Sequence, residues 1–314
     1  MNEILKDHTK FSEIKEDHFR TIIKQEDKIN RLLTKMKSKK EIPGEVYSSL
    51  HSSGSRPGIL YGLPKVHKSG APLRPILSAI GTAGYNLAKF LLPIIKPITL
   101  NRYTVQDSFT FAQEIQNYPD SSNYIMASFD VKSLFTNLPL DETIQIATDC
   151  LYSDPVTSPA FSCTFFKQLL EFAVKNVLFL FNGKLFSQFD GIGMGNPLGP
   201  TLANVFLCFH ETKWLNDCPL EFKPKFFRRY IDDIFLLFSD QNQILPFLNY
   251  LNSKHNNIKF TCESEINNSL SFLEINISRN NNKFDTSVFF EKRHSQAWDS
   301  DTIHSFLHLI EIIW

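Results

Sequence analysis

Several features of membrane and secreted proteins are missing from this 314-residue sequence. No apolar run reaches the roughly 18 residues that a transmembrane helix needs. The nearest candidate, residues 87–100, is interrupted by two lysines and two prolines. The five cysteines are odd in number and scattered, without the short spacing of a zinc site, and no signal peptide precedes them. We therefore expect an intracellular protein with reduced, buried thiols that does not span a membrane.

Acidic residues are absent between Glu45 and Asp107, although the whole chain has 33 basic and 33 acidic residues and no net charge. The lysines and arginines of that stretch are Arg56, Lys65, Lys68, Arg74, Lys89, Lys96 and Arg102. Such a bias produces a local positive surface whatever the total charge, and this favours a nucleic acid partner. Charge alone is equally compatible with an ordinary solvated basic face.

The residues that are present indicate a globular α+β protein. Hydrophobic residues make up 42% of the chain and Phe is the commonest aromatic, which predicts a real core. Single cores rarely grow beyond about 250–300 residues, so we expect lobes around a cleft. Apolar spacing predicts helices over residues 1–50, 84–99, 108–117, 141–151, 165–180, 201–214 and 244–251. Extended segments are predicted over residues 59–68, 72–78, 123–129, 226–238, 258–261 and 270–277, with a hairpin turn at Asn182-Gly183. This irregular order of helices and strands is typical of an α+β fold.

Two adjacent carboxylates, Asp232 and Asp233, interrupt the strand-like sequence between residues 226 and 238. Asp is common in turns, so this pair alone is compatible with a solvated hairpin turn. A second apolar strand leads directly into Asp130, and two such strands side by side would bring three carboxylates within a few ångströms. Carboxylates that close repel each other unless cations share them, and oxygen ligands suit Mg²⁺ or Mn²⁺. Two such ions about 3.5–4 Å apart catalyse in-line displacement at phosphorus, which is the chemistry that this pattern predicts.

Several longer strings resemble a known family. SFDVKSLFTNLPLDETI, GIGMGNPLGPTLANVFL and RRYIDDIFLLF resemble the palm motifs of reverse transcriptases. Together with YGLPKVHK, PLRPILSAIGT, LNSKHNNIKFT and LSFLEINISR they resemble the Penelope-like retroelement group in particular, in the family's order, from about residue 25 to about residue 289. The resemblance implies a right-hand architecture of palm and fingers, related to telomerase reverse transcriptase. It also implies an RNA template, a DNA primer, deoxynucleoside triphosphates and two Mg²⁺ ions.

The resemblance assigns roles around the carboxylates. It makes Asp130 and Asp232 metal ligands, Asp233 their partner carboxylate, and Val131 the donor of a backbone carbonyl to a metal. Phe135 occupies the place of a bulky aromatic under the sugar of the incoming nucleotide, where a ring collides with a ribose 2′-OH. Without the flanking motif, Phe135 would be interpreted as a core aromatic.

The resemblance also assigns residues that bind the nucleotide. Gly195-Asn196-Pro197 matches the loop behind the nascent base pair, where small residues let the backbone approach closely; by itself it indicates only a turn that enters a helix. Lys65 and Arg74 match fingers residues that neutralise the triphosphate. Lys259 matches a palm lysine that protonates the leaving pyrophosphate, and the alternative is a solvated strand lysine.

The resemblance is lost after Val288. From Phe289 to Trp314 the sequence has no counterpart of the thumb that follows the palm in this family, and no downstream nuclease of the GIY-YIG kind. We therefore expect a truncated or frameshifted tail. The predicted organisation is an N-terminal helical segment (1–55), a basic fingers segment (56–107), a palm with part of the fingers (108–289) and a divergent tail (290–314).

Three functions remain open from the sequence. The first is an RNA-directed DNA polymerase of a retroelement. The second is a catalytically inactive, truncated element copy that only binds RNA or a primer–template duplex. The third, an RNA-directed RNA polymerase on the same palm, is disfavoured by Phe135. We find no motif for a protein partner in the sequence.

Overall fold

The structure, a computed structural model, describes residues 4–64, 71, 73–119, 123–156, 158–280 and 282–288. The helices are α1 His18–Ser38, α2 Gly44–Leu50, α3 Tyr85–Ile95, α4 Ser108–Gln116, α5 Leu134–Asn137, α6 Leu140–Tyr152, α7 Cys163–Val174, α8 Gly199–Asn216 and α9 Ile244–Lys254. The strands are β1 Phe11–Ile14, β2 Gly58–Pro64, β3 Leu73–Ser78, β4 Ile125–Val131, β5 Val177–Phe181, β6 Lys184–Gln188, β7 Phe226–Tyr230, β8 Asp233–Phe238, β9 Phe260–Ser264, β10 Ser269–Phe272, β11 Ile275–Asn280 and β12 Lys283–Val288. Largely antiparallel sheets combined with helices confirm the predicted α+β class.

The chain divides into two compact units whose segments alternate along the sequence. The first unit contains the described residues within 4–99 and 135–206, and the second contains those within 100–134 and 207–288. The predicted domain boundaries after residues 55, 107 and 289 stay predictions. The predicted divergent tail, residues 290–314, lies outside the described residues.

The first unit is built on a five-stranded sheet in the order β1-β6-β5-β2-β3. Neighbouring strands are antiparallel except β2 and β5, which are parallel. β5 and β6 form the hairpin predicted at Asn182-Gly183, where φ angles of 48° and 74° suit a type I′ turn. Phe11, Leu77 and Phe179 of β1, β3 and β5 pack together in the core of this sheet. Helix α7 packs against α1, α3 and α6 of the same unit.

Two predictions in the first unit are wrong because each extends a helix into a strand. Residues 1–50 are predicted to be helical, but β1 pairs with β6, and α1 begins only after Asp17 caps the Arg20 amide. Residues 165–180 are also predicted to be helical, but α7 ends at Val174 and β5 follows. Asn176 between them has a φ of 55°, and the β-branched and aromatic residues of β5 favour a strand.

The second unit contains a four-stranded antiparallel sheet in the order β7-β8-β4-β9 and a three-stranded antiparallel sheet in the order β10-β11-β12. Phe111 of α4, Phe235 of β8 and Phe272 of β10 meet in its core, with ring centroids 4.8 to 5.7 Å apart. Aromatic pairs at such distances and steep angles are favourable beyond the area that they bury. The three rings therefore link α4 and both sheets.

The prediction of one strand over residues 270–277 is wrong, because two antiparallel strands, β10 and β11, occupy this region. They are joined at Leu273-Glu274, whose φ angles of 49° and 62° suit a two-residue hairpin turn. Neither residue is Gly, Asn or Asp, so the sequence carries no local signal for this turn.

No helix in the part of the chain that the structure describes has the length and apolarity to cross a membrane.

The five cysteines all lie among the described residues and are free thiols. The expectation that they are buried is wrong for three of them, since Cys163 is exposed and Cys150 and Cys262 are partly exposed. Burial raises the pKa of the thiols of Cys150, Cys208, Cys218 and Cys262 above the ordinary value. These four thiols are therefore protonated, and weakly nucleophilic, at neutral pH.

We expect native-state labelling with N-ethylmaleimide to modify Cys163 first, because the thiolate is the reactive form and this side chain is exposed. Cys208 and Cys218 should react only after denaturation. Peptide mass spectrometry over a time course measures the order, and Cys163→Ser should remove the fast phase. Labelling of Cys208 as fast as Cys163 would contradict the packing described above.

Candidate active site

The structure places Asp130 and Asp233 directly opposite each other in neighbouring strands. β4 and β8 pair in an antiparallel register that runs from Ile125 opposite Phe238 to Asp130 opposite Asp233. Directly opposite side chains project from the same face of a sheet, with Cβ atoms about 4.5–5.5 Å apart. Asp130 is exposed and Asp233 is half-buried. Two of the three predicted carboxylates therefore share one face at the end of two paired strands.

Asp232 lies in the two-residue turn, Ile231-Asp232, that connects β7 to β8. The Val131 amide donates to the Asp232 carbonyl oxygen at 3.1 Å, so β4 is hydrogen-bonded to the turn itself as well as to β8. Ile231 has a φ of +54°, a region that β-branched residues rarely adopt and that costs about 1–3 kcal/mol. Positive φ at the first turn residue is a feature of type II′ turns, which favour Gly there. The turn is thus strained and must be held by its surroundings.

The candidate ligands at this end of the sheet are all oxygen atoms. The carboxylates of Asp130, Asp232 and Asp233 and the backbone carbonyl of Val131 are hard ligands that suit a divalent cation such as Mg²⁺. Among the residues that the structure describes, no group of three or more His, Cys, Asp or Glu side chains is arranged to hold a metal ion. The predicted convergence of the three carboxylates on metal ions stays a prediction. The donor chemistry and the backbone positions fit a divalent ion.

Lys259 lies directly before β9, and its side chain is hydrogen-bonded at the end of α9. Its backbone carbonyl accepts a hydrogen bond from the Lys132 amide at 2.8 Å. Its ammonium donates to the carbonyl oxygens of Asn252 at 2.7 Å and His255 at 3.0 Å, at the end of α9. Unpaired carbonyls and the helix dipole favour a cation at this position. A role for Lys259 in proton transfer stays a prediction, and it requires the ammonium to leave these two carbonyls.

A buried ion pair next to the carboxylate turn is absent from the sequence-based predictions. Arg229 of β7 is 0% exposed and Glu211 of α8 is 3% exposed, and Arg229 Nη1 donates to the Ile231 carbonyl oxygen at 2.9 Å. Desolvation acts to lower the pKa of Arg229, but the Glu211 carboxylate and the Cys208 sulfur together offset it and raise that pKa above the ordinary value. The one sequence signal for this pair is the Arg228-Arg229 dipeptide directly before the Tyr-Ile-Asp-Asp string.

Phe135 lies in the first unit, in α5, and is 9% exposed. Its ring lies 3.6 Å from the position that a Cβ atom would take at Gly199, the first residue of α8. Its carbonyl oxygen accepts a hydrogen bond from the Ile192 amide at 2.8 Å. The ring is therefore packed against the start of α8 and almost fully buried, which is compatible with both sequence-based interpretations.

The predicted nucleotide-binding loop, residues 195–197, is held against β3. The Leu77 amide donates to the Met194 carbonyl oxygen at 2.8 Å, and a Cβ atom at Gly195 would lie 2.6 Å from the Leu77 carbonyl oxygen. Gly195 also has a φ of +121°, so this position requires glycine. Asn196 is buried and its side-chain amide donates to the Ala173 carbonyl oxygen at 3.0 Å. Asn196 therefore fixes the loop, and Gly195 allows its close approach to β3.

Arg74 is exposed on β3, an edge strand of the first unit's sheet. Arg74 and three other exposed cations of the basic segment, Arg56, Lys89 and Lys96, form no ion pair with a residue that the structure describes. Lys65 lies outside the described residues. The predicted site residues thus fall into two groups: the three aspartates, Val131 and Lys259 in the second unit, and Phe135, Arg74 and the 195–197 loop in the first.

Three solved polymerase structures have a similar fold. The telomerase of Candida albicans in complex with a TWJ fragment of telomeric RNA matches with a TM-score of 0.55 and 12% identity, over 90% of this chain and 54% of that one. The apo telomerase of Candida tropicalis, truncated from its C-terminal domain, matches with a TM-score of 0.53 and 13% identity, over 75% and 56%. The BmCPV RNA-dependent RNA polymerase in its elongation state matches with a TM-score of 0.51 and 15% identity, over 100% and 29%.

These likenesses confirm the predicted right-hand polymerase fold, and at such low identity they show the fold alone. The chain spans about half the length of the telomerase chains and 29% of the viral polymerase chain. No curated protein matches the chain in sequence.

A family model described as reverse transcriptase (RNA-dependent DNA polymerase) matches residues 66–269, which is about two thirds of the chain. The matched region contains Asp130, Asp232 and Asp233 on their paired strands and turn. The chain belongs to the reverse transcriptase (RNA-dependent DNA polymerase) family.

Proposed function

We propose that this chain is an RNA-directed DNA polymerase that transfers nucleotides from deoxynucleoside triphosphates to the 3′-OH of a primer. One observation carries the proposal: Asp130 lies directly opposite Asp233, and the β7–β8 turn that holds Asp232 is hydrogen-bonded to β4. This places carboxylates from two strands and a turn at one end of a rigid sheet, as phosphoryl transfer requires. Family membership supports the reaction type.

The proposed mechanism assigns metal binding to Asp130, Asp232, Asp233 and the carbonyl of Val131. Divalent ions, here Mg²⁺ with Mn²⁺ as an alternative, activate the attacking hydroxyl and stabilise the leaving pyrophosphate when bound. The carboxylates supply the negative charge that holds the ions, and their mutual repulsion in the absence of cations favours binding. The β4–β8 pairing sets the face of the sheet from which Asp130 and Asp233 present their carboxylates.

Nucleotide binding is assigned to residues of the first unit. Arg74 and Lys65 neutralise the triphosphate, and the support for Arg74 is an exposed guanidinium with no ion pair to any described residue. Phe135 excludes a ribose 2′-OH, supported by a ring that packing against the start of α8 holds in place. Residues 195–197 form the surface behind the base pair, supported by the close approach at Gly195.

The origin and partners of the polymerase also belong to this proposal. The Penelope-like strings favour a retroelement whose enzyme uses an RNA template and a DNA primer. The telomerase fold likeness supports RNA as a partner, because one of those telomerase structures is a complex with a TWJ fragment of telomeric RNA. Five free thiols support an intracellular location.

Asp232→Asn removes one ligand charge with almost no change of volume. We expect primer extension on an RNA template in Mg²⁺ to be abolished, while the Kd for primer–template stays within a few-fold, because phosphate contacts outside the site supply most of the binding. Gel-based extension and fluorescence anisotropy measure the two quantities. Asp217→Asn, an exposed aspartate after α8, is the control and should extend normally.

Near wild-type extension by the Asp232→Asn protein would refute the metal-site assignment. Primer–template binding without extension by the unchanged chain would instead favour the inactive, binding-only protein.

Phe135→Ala should raise incorporation of ribonucleotides relative to deoxynucleotides, because the 2′-OH is the one difference between the two substrates at that position. The ratio of kcat/KM for the two nucleotides measures the effect. Phe165→Ala is the control, since it removes a ring of similar burial, 5% exposed, from α7. It should lower stability without changing the ratio. An unchanged ratio in Phe135→Ala would make Phe135 a core residue only.

Arg74→Ala should raise the KM for the nucleotide or lower kcat, because the guanidinium is proposed to bind the triphosphate. The free energy of unfolding should change by no more than about 0.5 kcal/mol, as for an exposed side chain without partners. Steady-state kinetics and urea unfolding measure the two. Arg31→Ala, an exposed arginine on α1, should leave both unchanged. Kinetics equal to those of the unchanged protein would remove Arg74 from the site.

A further inference from the structure

Arg229 is a fully buried arginine in β7, two residues before the carboxylate turn. Both of its main-chain polar groups are hydrogen-bonded. Its amide donates to the Tyr103 carbonyl oxygen and its carbonyl accepts from the Val105 amide, each at 2.8 Å. These two hydrogen bonds hold the Arg229 backbone in place. A group that is hydrogen-bonded to its guanidinium is therefore held close to β7.

The guanidinium contacts three residues in two elements, α8 and the β7–β8 turn. Its Nε and Nη2 donate to the two carboxylate oxygens of Glu211 on α8, the second at 3.3 Å. Nη2 also donates to the Cys208 sulfur at 3.3 Å, one helical turn away on α8. Nη1 donates to the Ile231 carbonyl oxygen at 2.9 Å. Glu211 is held in turn by the side-chain amide of Asn101 at 3.0 Å.

Stability alone does not explain this pair. Removing two charges from water costs more than their attraction often returns, and well-packed apolar residues of similar volume are frequently as stable. The contact to Ile231 does point to a role, since this residue has the strained φ of +54° and its carbonyl belongs to the peptide bond that leads into Asp232. A donor fixed on that carbonyl limits the rotation by which the turn could relax.

We propose that Arg229, oriented by Glu211, is a positioning residue that holds the Ile231 carbonyl and so keeps Asp232 and Asp233 in place beside Asp130. The proposal rests on the proposed function for the catalytic role of those carboxylates. Arg229 acts through the turn and touches no substrate.

The same strand offers a matched control. Arg228 donates through Nε to both carboxylate oxygens of Glu114, at 3.0 and 2.8 Å, and through Nη1 to the Phe227 carbonyl oxygen. This second arginine–glutamate pair is partly exposed, 24% and 39%, and its main-chain contact lies upstream of the turn. Loss of the Arg228–Glu114 pair removes a comparable interaction from β7 without freeing Ile231.

The experiment compares Arg229→Met/Glu211→Leu with Arg228→Met/Glu114→Leu. Each double variant replaces a charged pair by apolar side chains, so neither leaves a lone buried charge. Thermal unfolding checks the fold of both. Hydrogen exchange of the Asp232 and Asp233 amides, measured without metal or substrate, reports the rigidity of the turn. Primer extension then gives kcat, the nucleotide KM and the Mg²⁺ concentration for half-maximal rate.

For Arg229→Met/Glu211→Leu we expect about tenfold faster exchange at the turn. We also expect a fall in kcat of about 10- to 100-fold, because small displacements of catalytic groups are this costly. The nucleotide KM should change little and the Mg²⁺ requirement should rise. The Arg228 control should leave all four quantities within about twofold, as expected for a surface pair.

Equal exchange at the turn in both double variants, or an unchanged kcat in a folded Arg229 variant, would overturn the proposal. If the unchanged chain extends no primer, the proposed function fails, and the exchange measurement still decides the role of Arg229 on its own. If the Arg229 double variant does not fold, Arg229→Lys against Arg228→Lys replaces the pair. Lysine keeps a positive charge next to Glu211 but lacks the guanidinium fork that reaches the Ile231 carbonyl. The turn amides should therefore again exchange faster in the Arg229 variant than in the Arg228 variant.

Discussion

The pairing of β4 with β8 is the constraint on which the rest of the site depends. Met126, Ser128 and Asp130 face one side of β4, and Phe129 faces the other, where its ring lies 5.8 Å from that of Phe247 on α9. Because side chains alternate with a period of two, a shift by one residue would move Asp130 to the face of Phe129, which packs against α9. Burial of an unpaired carboxylate is so costly that this register is strongly specified. The same hydrophobic packing that stabilises the sheet therefore also sets the position of the carboxylate.

Departures from local preference are concentrated within a few residues of the turn. A β-branched residue takes a positive φ at Ile231, two acids follow each other at Asp232 and Asp233, and a fully buried arginine precedes them at Arg229. Each feature costs free energy when considered alone. Proteins keep such features where a site must be rigid and charged, and stabilise them by the surrounding structure. Here the strand hydrogen bonds and the Arg229–Glu211 pair provide that support.

The cations of the chain differ in whether other groups of the protein already bind them. Arg229 is bound to Glu211, and the ammonium of Lys259 is bound to two carbonyl oxygens at the end of α9. Arg74 in the first unit is exposed and forms no ion pair with the residues that the structure describes. A cation of this second kind has no described ion-pair partner to leave before it binds a phosphate, whereas the first kind is already bound by acceptors of the protein. The distinction favours Arg74 over Lys259 among the nucleotide-binding predictions.

The sequence by itself determined the features that depend on neighbouring residues. Apolar periodicity located α4, α6, α8 and α9, Asn182-Gly183 marked a hairpin, and the acids next to two apolar strands marked the candidate site. The long motif strings also pointed to the reverse transcriptase family, which the family match then showed. These signals are local, because propensity, turn chemistry and short motifs are properties of adjacent residues.

Only the tertiary structure decided the features that depend on a distant partner. β1 is a strand because β6 pairs with it, and Leu273-Glu274 forms a turn because β10 and β11 pair across it. Arg229 is a buried, oriented group because α8 brings Glu211 to it, eighteen positions away in sequence. No local pattern encodes such pairings, since the free energy that selects them comes from hydrogen bonds and burial between segments far apart in the chain.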